Sequence, residues 1–516
     1  MTLLDKLLVL PNIVTRAPAL STRALLIYVV FGLIFALNFF GFTDPDYWWH
    51  LRTGQYIVET NSIPKVDLFS YTFQGEPRVA QEWLSQVLLY LPFRAFGYTG
   101  DVILFACIVT LAFFLIFRLC LKLGINDLVA ILLVFWGALL ARPFFTVRPL
   151  MFTWLFFAIF LTSLYLYHRG ISRWLWHLPL LMVLWVNLHG GFAIGLALIG
   201  LMLLARIGER VFMRKPLDLR HLLIVLGLSM LATFVNPNGF AGISHPLVYL
   251  GFDNVSARFI SEWQSPNFHD YYWLSLLASF MLLMALGVVR RQMGGWPVLL
   301  TAVLATMALQ SVRHIPLYAL AMAPILGETL LARLDVKSRL ETERKLPKLR
   351  RLNWLILILL MGGFVAAGVA SPLSQLKKMP LQSRGVTYPE AGAKYVRTNY
   401  PEARMFNDYD WGGYLIYALF PTQKVFIDGR MDLYSSQVLS DYGHVVFLRP
   451  DWEEVLDRYK VDLVLIHKGS PLSVLLTSAP SWQRVFTGEV EDIFVRRPTG
   501  NSVELLKYTT THGSGE

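Results

Sequence analysis

Two carboxylates separated by one proline, Asp44-Pro45-Asp46, stand directly after the first long apolar run of the chain. On so rigid a turn they suit two kinds of chemistry. One could take the proton of an attacking hydroxyl as a general base. As a pair of hard oxygen ligands they could instead hold Mg²⁺ or Mn²⁺ against a phosphate. The plainer alternative is an Asp-Pro turn with a solvated second carboxylate, since such turns are common. The surroundings weigh against it: Thr43 to Trp83 also carries His50, Arg52, Asp67 and Glu82 among Tyr47, Trp48 and Trp49. Connections between packed elements are usually short, and this one is too aromatic for a disordered linker. A folded active-site loop on the membrane surface is expected. Trp48 and Trp49 suit either a sugar-binding face or an interfacial anchor.

Other chemistry-bearing residues sit where apolar runs end. Arg142 and Arg148 share the short connection RPFFTVRP, His189 lies in NLHGG, and Arg313-His314 forms another corner. Ionisable groups at membrane depth are costly and usually serve a site or pathway. Two arginines so close suit a bidentate partner such as phosphate, or an ion pair with an acid of the opening loop. Arginines that hold a leaving phosphate, plus an acid that activates an acceptor, are what a lipid-phosphate donor requires. His50 and Glu82 join Arg142, Arg148, His189, Arg313 and His314 as candidate substrate contacts. Glu82-Trp83 and Glu262-Trp263 also suit a bracing role, and a histidine beside a glycine pair is more often structural. Further on, Asn407 to Gly413 and Asp428-Gly429-Arg430 read as helix capping and turn chemistry ahead of a site.

The elements that must position these residues are mostly membrane-type. The chain has 516 residues, 55% hydrophobic and 16% charged, and its mean hydropathy is +0.50. Soluble domains carry roughly a quarter charged residues. Apolar runs begin near Arg23, Asp101, Asp127, Leu150, Trp174, Gly191, His221, Tyr271, Trp296, Ile315 and Asn353, about eleven spanning helices by length. The segment WLSQVLLYLPFRAFG is shorter and suits a helix in the interface. The net charge of +11 falls in blocks between apolar runs, from Arg118 and Lys122 to the stretch Lys337–Arg351. Such blocks are topology signals, which argues against nucleic-acid binding. They place the N-terminal arm inside and the opening loop, with everything after Ser371, outside. Cys107 and Cys120 would lie about 20 Å apart on one helix, so they do not pair.

After Ser371 the composition becomes that of a soluble domain. A helix over Tyr388–Tyr400, a strand at RMFN, a helix from Gly412 and a buried strand at KVFID are expected. A helix at DWEEVLDRYK and strands at VDLVLIH, WQRVF and DIFVRR complete a small α/β domain. The expected fold is thus mostly α. Residues 1–371 form a polytopic helical membrane domain with a large extracytoplasmic loop over 43–100, and 372–516 form an extracytoplasmic α/β domain.

This pattern resembles the GT-C class of polytopic glycosyltransferases, which includes the protein mannosyltransferases and the aminoarabinose transferases. Within that class the chain is similar to bacterial membrane proteins reading DxDxWWHLxxGxxI, IPxxDxFSxT and EWL, here at Asp44–Ile57, Ile63–Thr72 and Glu82–Leu84. NLHGGF at Asn187, WGGYLI and IDGR also match that set, so the resemblance covers most of the chain. It implies a polyprenyl-phosphate-linked sugar as donor, an inverting displacement at the anomeric carbon, and an Asp of the first outward loop as base. By position that base is Asp44 or Asp46. The better-known motif is an Asp-Glu pair, and Asp-Pro-Asp leaves both the choice of acid and the need for a metal open.

The expected function is transfer of a sugar from that lipid carrier to an extracytoplasmic lipid, glycan or protein at a bacterial inner membrane. A transporter or flippase for a lipid-linked or anionic glycan is one alternative, although such folds tend to carry internal repeats and interrupted helices. A non-catalytic assembly component presenting its soluble domain is the other.

Overall fold

The computed structural model describes residues 20–40, 44–214, 218–248, 261–289, 295–331, 353, 356–359, 382–383 and 386–497. The expected N-terminal arm, the basic stretch 337–351, most of the span expected at Asn353 and the tail 500–516 lie outside them.

In chain order the first helices are α1 (Thr22–Leu37), α2 (Tyr47–Thr60), α3 (Trp83–Phe96), α4 (Tyr98–Lys122), α5 (Asp127–Ala141) and α6 (Leu150–His168). Next come α7 (His177–Leu188), α8 (Phe192–Met213), α9 (Arg220–Ala232), α10 (Phe240–Val248), α11 (Tyr271–Val289), α12 (Gly295–Gln310) and α13 (Ile315–Leu331). Strands β1 (Gln382–Ser383) and β2 (Val386–Thr387) precede α14 (Glu390–Asn399), β3 (Met405–Asn407), α15 (Gly412–Leu419), α16 (Ser436–Val446) and α17 (Trp452–Arg458). The described chain closes with β4 (Leu463–His467), α18 (Pro471–Ser478), β5 (Trp482–Thr487) and β6 (Glu491–Arg496).

The described residues are thus mostly helical, with a four-stranded sheet and the two-stranded antiparallel pair β1-β2. Helices stand at each expected apolar run from Arg23 to Ile315. Tyr98–Lys122, Asp127–Phe144, Leu150–His168 and Phe192–Phe212 are long and apolar enough to cross a membrane, and α1, α7, α9 and α12 are apolar but shorter. The chain divides into two compact units, residues 1–41 with 95–377 and residues 42–94 with 378–516. The opening loop, read from sequence as part of the membrane domain, therefore folds with the C-terminal segment.

In the first unit the sequence punctuates its helices with local caps. Ser21 Oγ accepts from Ala24 N (3.1 Å) to start α1, and Asn126 Oδ1 accepts from Leu128 N (2.9 Å) to start α5. Gly124, at φ 82°, makes the left-handed turn that reverses the chain between α4 and α5. A β-carbon at Gly137 would lie 2.8 Å from the Ala319 carbonyl oxygen, so glycine is what lets α5 and α13 approach so closely. Some charges of this unit are paired: Arg23 Nε lies 2.5 Å from Asp127 Oδ2, and Glu328 takes Arg169 at 3.1 Å and Tyr165 Oη at 2.7 Å.

In the second unit the sheet order is β3-β4-β6-β5, with β3 and β4 parallel and the other neighbours antiparallel. The parallel step is closed by the crossover through α15, α16 and α17, as parallel neighbours require. Phe406, Phe426, Val464, Ile466, Trp482 and Phe494 fill the core behind it.

Two expectations are corrected here. The segment KVFID is buried, but it is not a ladder strand. Its partners come from the opening loop and from the Asn407 side chain: Val425 N donates to Phe69 O (3.0 Å), Tyr71 N donates to Val425 O (3.1 Å), Thr72 Oγ1 donates to Phe426 O (2.6 Å), and Phe426 N donates to Asn407 Oδ1 (2.8 Å). The segment from Tyr47 is not a loop but helix α2. It follows a turn in which Tyr47 N donates to Asp44 O (3.0 Å), and it stops at Asn61 in the left-handed conformation.

Candidate functional site

Helix α2 is built to carry Asp46 at its N-terminal end. Its buried face holds Trp48, Leu51 and Ile57, and Trp48 meets Tyr388, Tyr414 and Tyr417 with ring centroids 5.6, 5.2 and 5.1 Å away. Trp48 is wholly buried, so it is neither a sugar-binding face nor a membrane anchor. Trp49 has the other duty. Its Nε1 donates to Asp46 Oδ1 at 3.0 Å.

The two candidate acids differ in their surroundings. Asp44 is only 2% exposed, and its Oδ1 accepts from Asp46 N (3.0 Å), which closes the turn. Asp46 is half-buried and remains open to solvent. Of the pair, Asp46 is the more exposed residue.

His50, one turn further along α2, sits between Gln86 of α3 and Glu82, the residue just before that helix. Its Nδ1 is 3.2 Å from Gln86 Nε2 and its Nε2 is 3.5 Å from Glu82 Oε2. Gly54 makes this possible, because a β-carbon there would run into the Gln86 carbonyl. Asp44, Asp46, His50 and Glu82, all singled out from sequence, thus belong to the neighbouring ends of two packed helices. Arg78 was missed: its guanidinium lies over the rings of Trp49 (5.5 Å) and Phe69 (5.9 Å). Burial first, and the nearby charge of Arg430 next, bring its pKa down to about 10. A basic residue four places before Glu82 in a polar loop carried no signal that distinguished it from a solvated one.

Behind this group lies a charged lock. Arg430 donates to Asp428 through Nε (2.7 Å) and Nη2 (2.6 Å) and to Asp67 through Nη1 (2.6 Å). Tyr434 Oη donates to Asp428 Oδ2 (2.6 Å), and Ser70 N donates to Asp67 Oδ2 (3.0 Å). Burial pushes the Asp67 pKa up, but Arg430 and the Ser70 hydroxyl outweigh it and hold the carboxyl below its ordinary 3.8. The Asp428-Gly429-Arg430 segment does make a turn, as expected, and it also carries this lock.

The other candidates lie in the first unit. Arg148 Nη1 is 3.0 Å from Glu262 Oε2. Arg313 stacks over Trp263 at 5.1 Å, and His314 meets the same ring edge-on. Ser311 Oγ donates to the Glu262 carbonyl (2.9 Å), which fastens these two corners together. His189 Nδ1 accepts from Gly191 N (2.9 Å) and lies 2.9 Å from Thr153 Oγ1, which in turn accepts from Trp185 Nε1 (3.1 Å). That places the His189 proton on Nε2. Arg142 caps the end of α5, where Phe145 N donates to its carbonyl at 3.1 Å.

Among the described residues, no three His, Cys, Asp or Glu side chains converge as a metal site would require. Mg²⁺ ordinarily takes one or two carboxylates together with waters and a substrate phosphate, and Asp44 and Asp46 are the pair that would supply the carboxylates.

No family model matches the chain, and no curated protein matches it in sequence. Solved structures do match. The archaeal oligosaccharyltransferase AglB from Archaeoglobus fulgidus, in complex with an inhibitory peptide and a dolichol-phosphate, superposes with a TM-score of 0.54 at 11% identity. The match covers 86% of this chain and 69% of that one. The fold is GT-C-like. ArnT from Cupriavidus metallidurans bound to undecaprenyl phosphate gives a TM-score of 0.47 at 13% identity, covering 93% of this chain and 97% of that one. The arabinofuranosyltransferase AftD from Mycobacteria gives 0.48 at 15%, covering 93% and 42%. The assignment of the GT-C-like fold rests on the first of these. With its apolar helices, that fold makes this a membrane protein.

Proposed function

We propose that this chain is an integral membrane glycosyltransferase. It moves a sugar from a polyprenyl-phosphate carrier to a lipid, glycan or protein acceptor on the outer side of a bacterial inner membrane. The observation that carries this reading is Asp46, the more exposed acid of the pair, held by Trp49 Nε1 at 3.0 Å within a GT-C-like fold. The dolichol-phosphate and inhibitory peptide bound by AglB support a lipid-phosphate donor and a nucleophilic acceptor for the same fold.

In the proposed reaction Asp46 takes the proton of the acceptor's nucleophilic group. The acceptor then forms its bond to the anomeric carbon as the bond from that carbon to the phosphate oxygen breaks. The configuration inverts, the lipid phosphate leaves with the bonding pair, and the proton stays on Asp46. Asp44 supports the turn and is the second candidate base. Arg142, Arg148 and Arg313 carry the role of balancing the leaving phosphate, because planar guanidinium groups match its oxygens. His50, Glu82, His189 and His314 are assigned to substrate binding.

The proposed topology has about eleven spans, with the N-terminus cytoplasmic and residues 43–100 and 372–516 extracytoplasmic. Transfer assayed in native membranes tests this reading. Asp46→Asn should stop the reaction and leave unused lipid-linked donor to accumulate, and normal transfer by that variant would overturn it.

A further inference from the structure

Two glycines of the C-terminal segment, Gly413 and Gly429, crowd the Asp44-Pro45-Asp46 turn, and a third, Gly412, packs against the backbone that leads into Gly429. A β-carbon on Gly429 would run into Asp46 Oδ1 and lie 3.6 Å from Trp49 Nε1. One on Gly413 would lie 2.6 Å from the Pro45 carbonyl oxygen and 3.4 Å from Trp49 Cδ1. One on Gly412 would run into the Ile427 carbonyl, which leads into the Asp428-Gly429 turn. None of these three has a positive φ. Backbone conformation therefore does not demand glycine here, and close approach does.

The seat cannot easily yield. Asp428 Oδ1 accepts from Arg430 N (3.0 Å) and Nε (2.7 Å), Asp428 Oδ2 accepts from Tyr434 Oη, and Asp67 Oδ1 accepts from Arg430 Nη1. The neighbour that would have to move is the Asp46 side chain. Its carboxylate is fixed on one side by the Trp49 indole and on the other by bare backbone. Rotating it away from an added methyl group would break the Trp49 bond. Near-attack geometry tolerates little such error, and a displacement of about 1 Å can cost roughly 100-fold in rate.

We propose that Gly413 and Gly429, with Gly412 letting the Asp428-Gly429 turn pack close behind them, form a bare-backbone seat that sets the position of the Asp46 carboxylate for transfer, with Gly429 the main positioning residue. This rests on the reading of Asp46 as the base. It assigns a role to WGG and DGR that capping and turn formation do not cover.

The test compares purified full-length Gly429→Ala, Trp49→Phe and Asp46→Asn with wild type, using lipid-linked donor and acceptor in detergent or nanodiscs. Gly443→Ala is the control, since a β-carbon there meets only Phe447 at ordinary contact distance, 3.8 Å. Gly429→Ala is expected to keep its fold and insertion and to lose roughly 100-fold in kcat with KM within about twofold. Trp49→Phe, which keeps the ring but loses the N–H, is expected to lose kcat in the same way. Wild-type turnover by folded Gly429→Ala, or a raised KM at unchanged kcat, overturns the proposal. Should Gly429→Ala not accumulate as folded protein, Trp49→Phe decides: lost kcat supports the seat and wild-type turnover overturns it. Wild-type transfer by Asp46→Asn overturns the base reading itself. An inactive Asp46→Asn beside a fully active Gly429→Ala overturns the seat alone.

Discussion

Arg430 Nη1 lies 2.6 Å from Asp67 Oδ1, although the two residues stand 363 positions apart and both are sealed from water. This pair joins the opening loop to the C-terminal segment. Its burial decides the cost of breaking it, because removing one partner leaves a desolvated charge. Arg430→Met is therefore expected to destabilise the second unit by about 3–5 kcal/mol. Hydrogen exchange reads this locally. The Tyr71 and Val425 amides, which bond to Val425 O and Phe69 O, should lose their protection ahead of β4 and β6.

The same lock gives a pH dependence of fixed sign. Asp67 is held below its ordinary 3.8 in the folded state, so it releases its proton more readily there than in the unfolded chain. The stability it contributes is complete above that ordinary value and is lost as pH falls through the lower, folded one. Protection of the Tyr71 and Val425 amides, corrected for intrinsic exchange, should stay flat from pH 7 to about 4 and fall below it. Asp67→Asn should lower protection at neutral pH and blunt the acid fall.

Gly54 tests the packing that brings His50 to Glu82 and Gln86. A methyl group there meets the backbone of Gln86, which cannot swing aside as a side chain could. Gly54→Ala is expected to cost about 1–3 kcal/mol by overpacking. It should also lower activity, whereas Gly200→Ala, with open space around it, should change neither.

The arginine corner separates phosphate binding from mere bracing. A charge-assisted hydrogen bond is worth about 1.5–3 kcal/mol, so Arg148→Gln and Arg313→Gln should each raise KM for the lipid-linked donor roughly 10- to 150-fold. A purely structural pair of Arg148 with Glu262 would instead predict equal thermal losses for Arg148→Gln and Glu262→Gln, with KM unmoved.

Much of the helical unit was legible from apolar length alone, since a run such as Tyr98–Lys122 has little else it can become. The strands β4 and β6 were likewise legible as apolar runs between turn signals. KVFID misled because its burial is that of a core strand while the backbone that runs beside it, Phe69 to Thr72, lies about 350 residues earlier and carries no local trace. Helix α2 left readable signs: Asp46 before an aromatic run, apolar positions Trp48, Leu51 and Ile57 on one face, and Asn61 at the stop. The acids were legible by type, but the distinction between buried Asp44 and the more exposed Asp46 is tertiary. Arg78, Gln86 and the glycine seat were not legible as site residues, because what singles them out is approach by a distant segment.

The most direct measurement is sugar transfer by Asp46→Asn in native membranes, beside Asp44→Asn and wild type, with the lipid-linked donor quantified. The account predicts that Asp46→Asn remains folded and inserted, loses transfer by roughly 100-fold or more, and accumulates unused donor. Wild-type transfer by folded Asp46→Asn would contradict it and return the chain to a transport or assembly role.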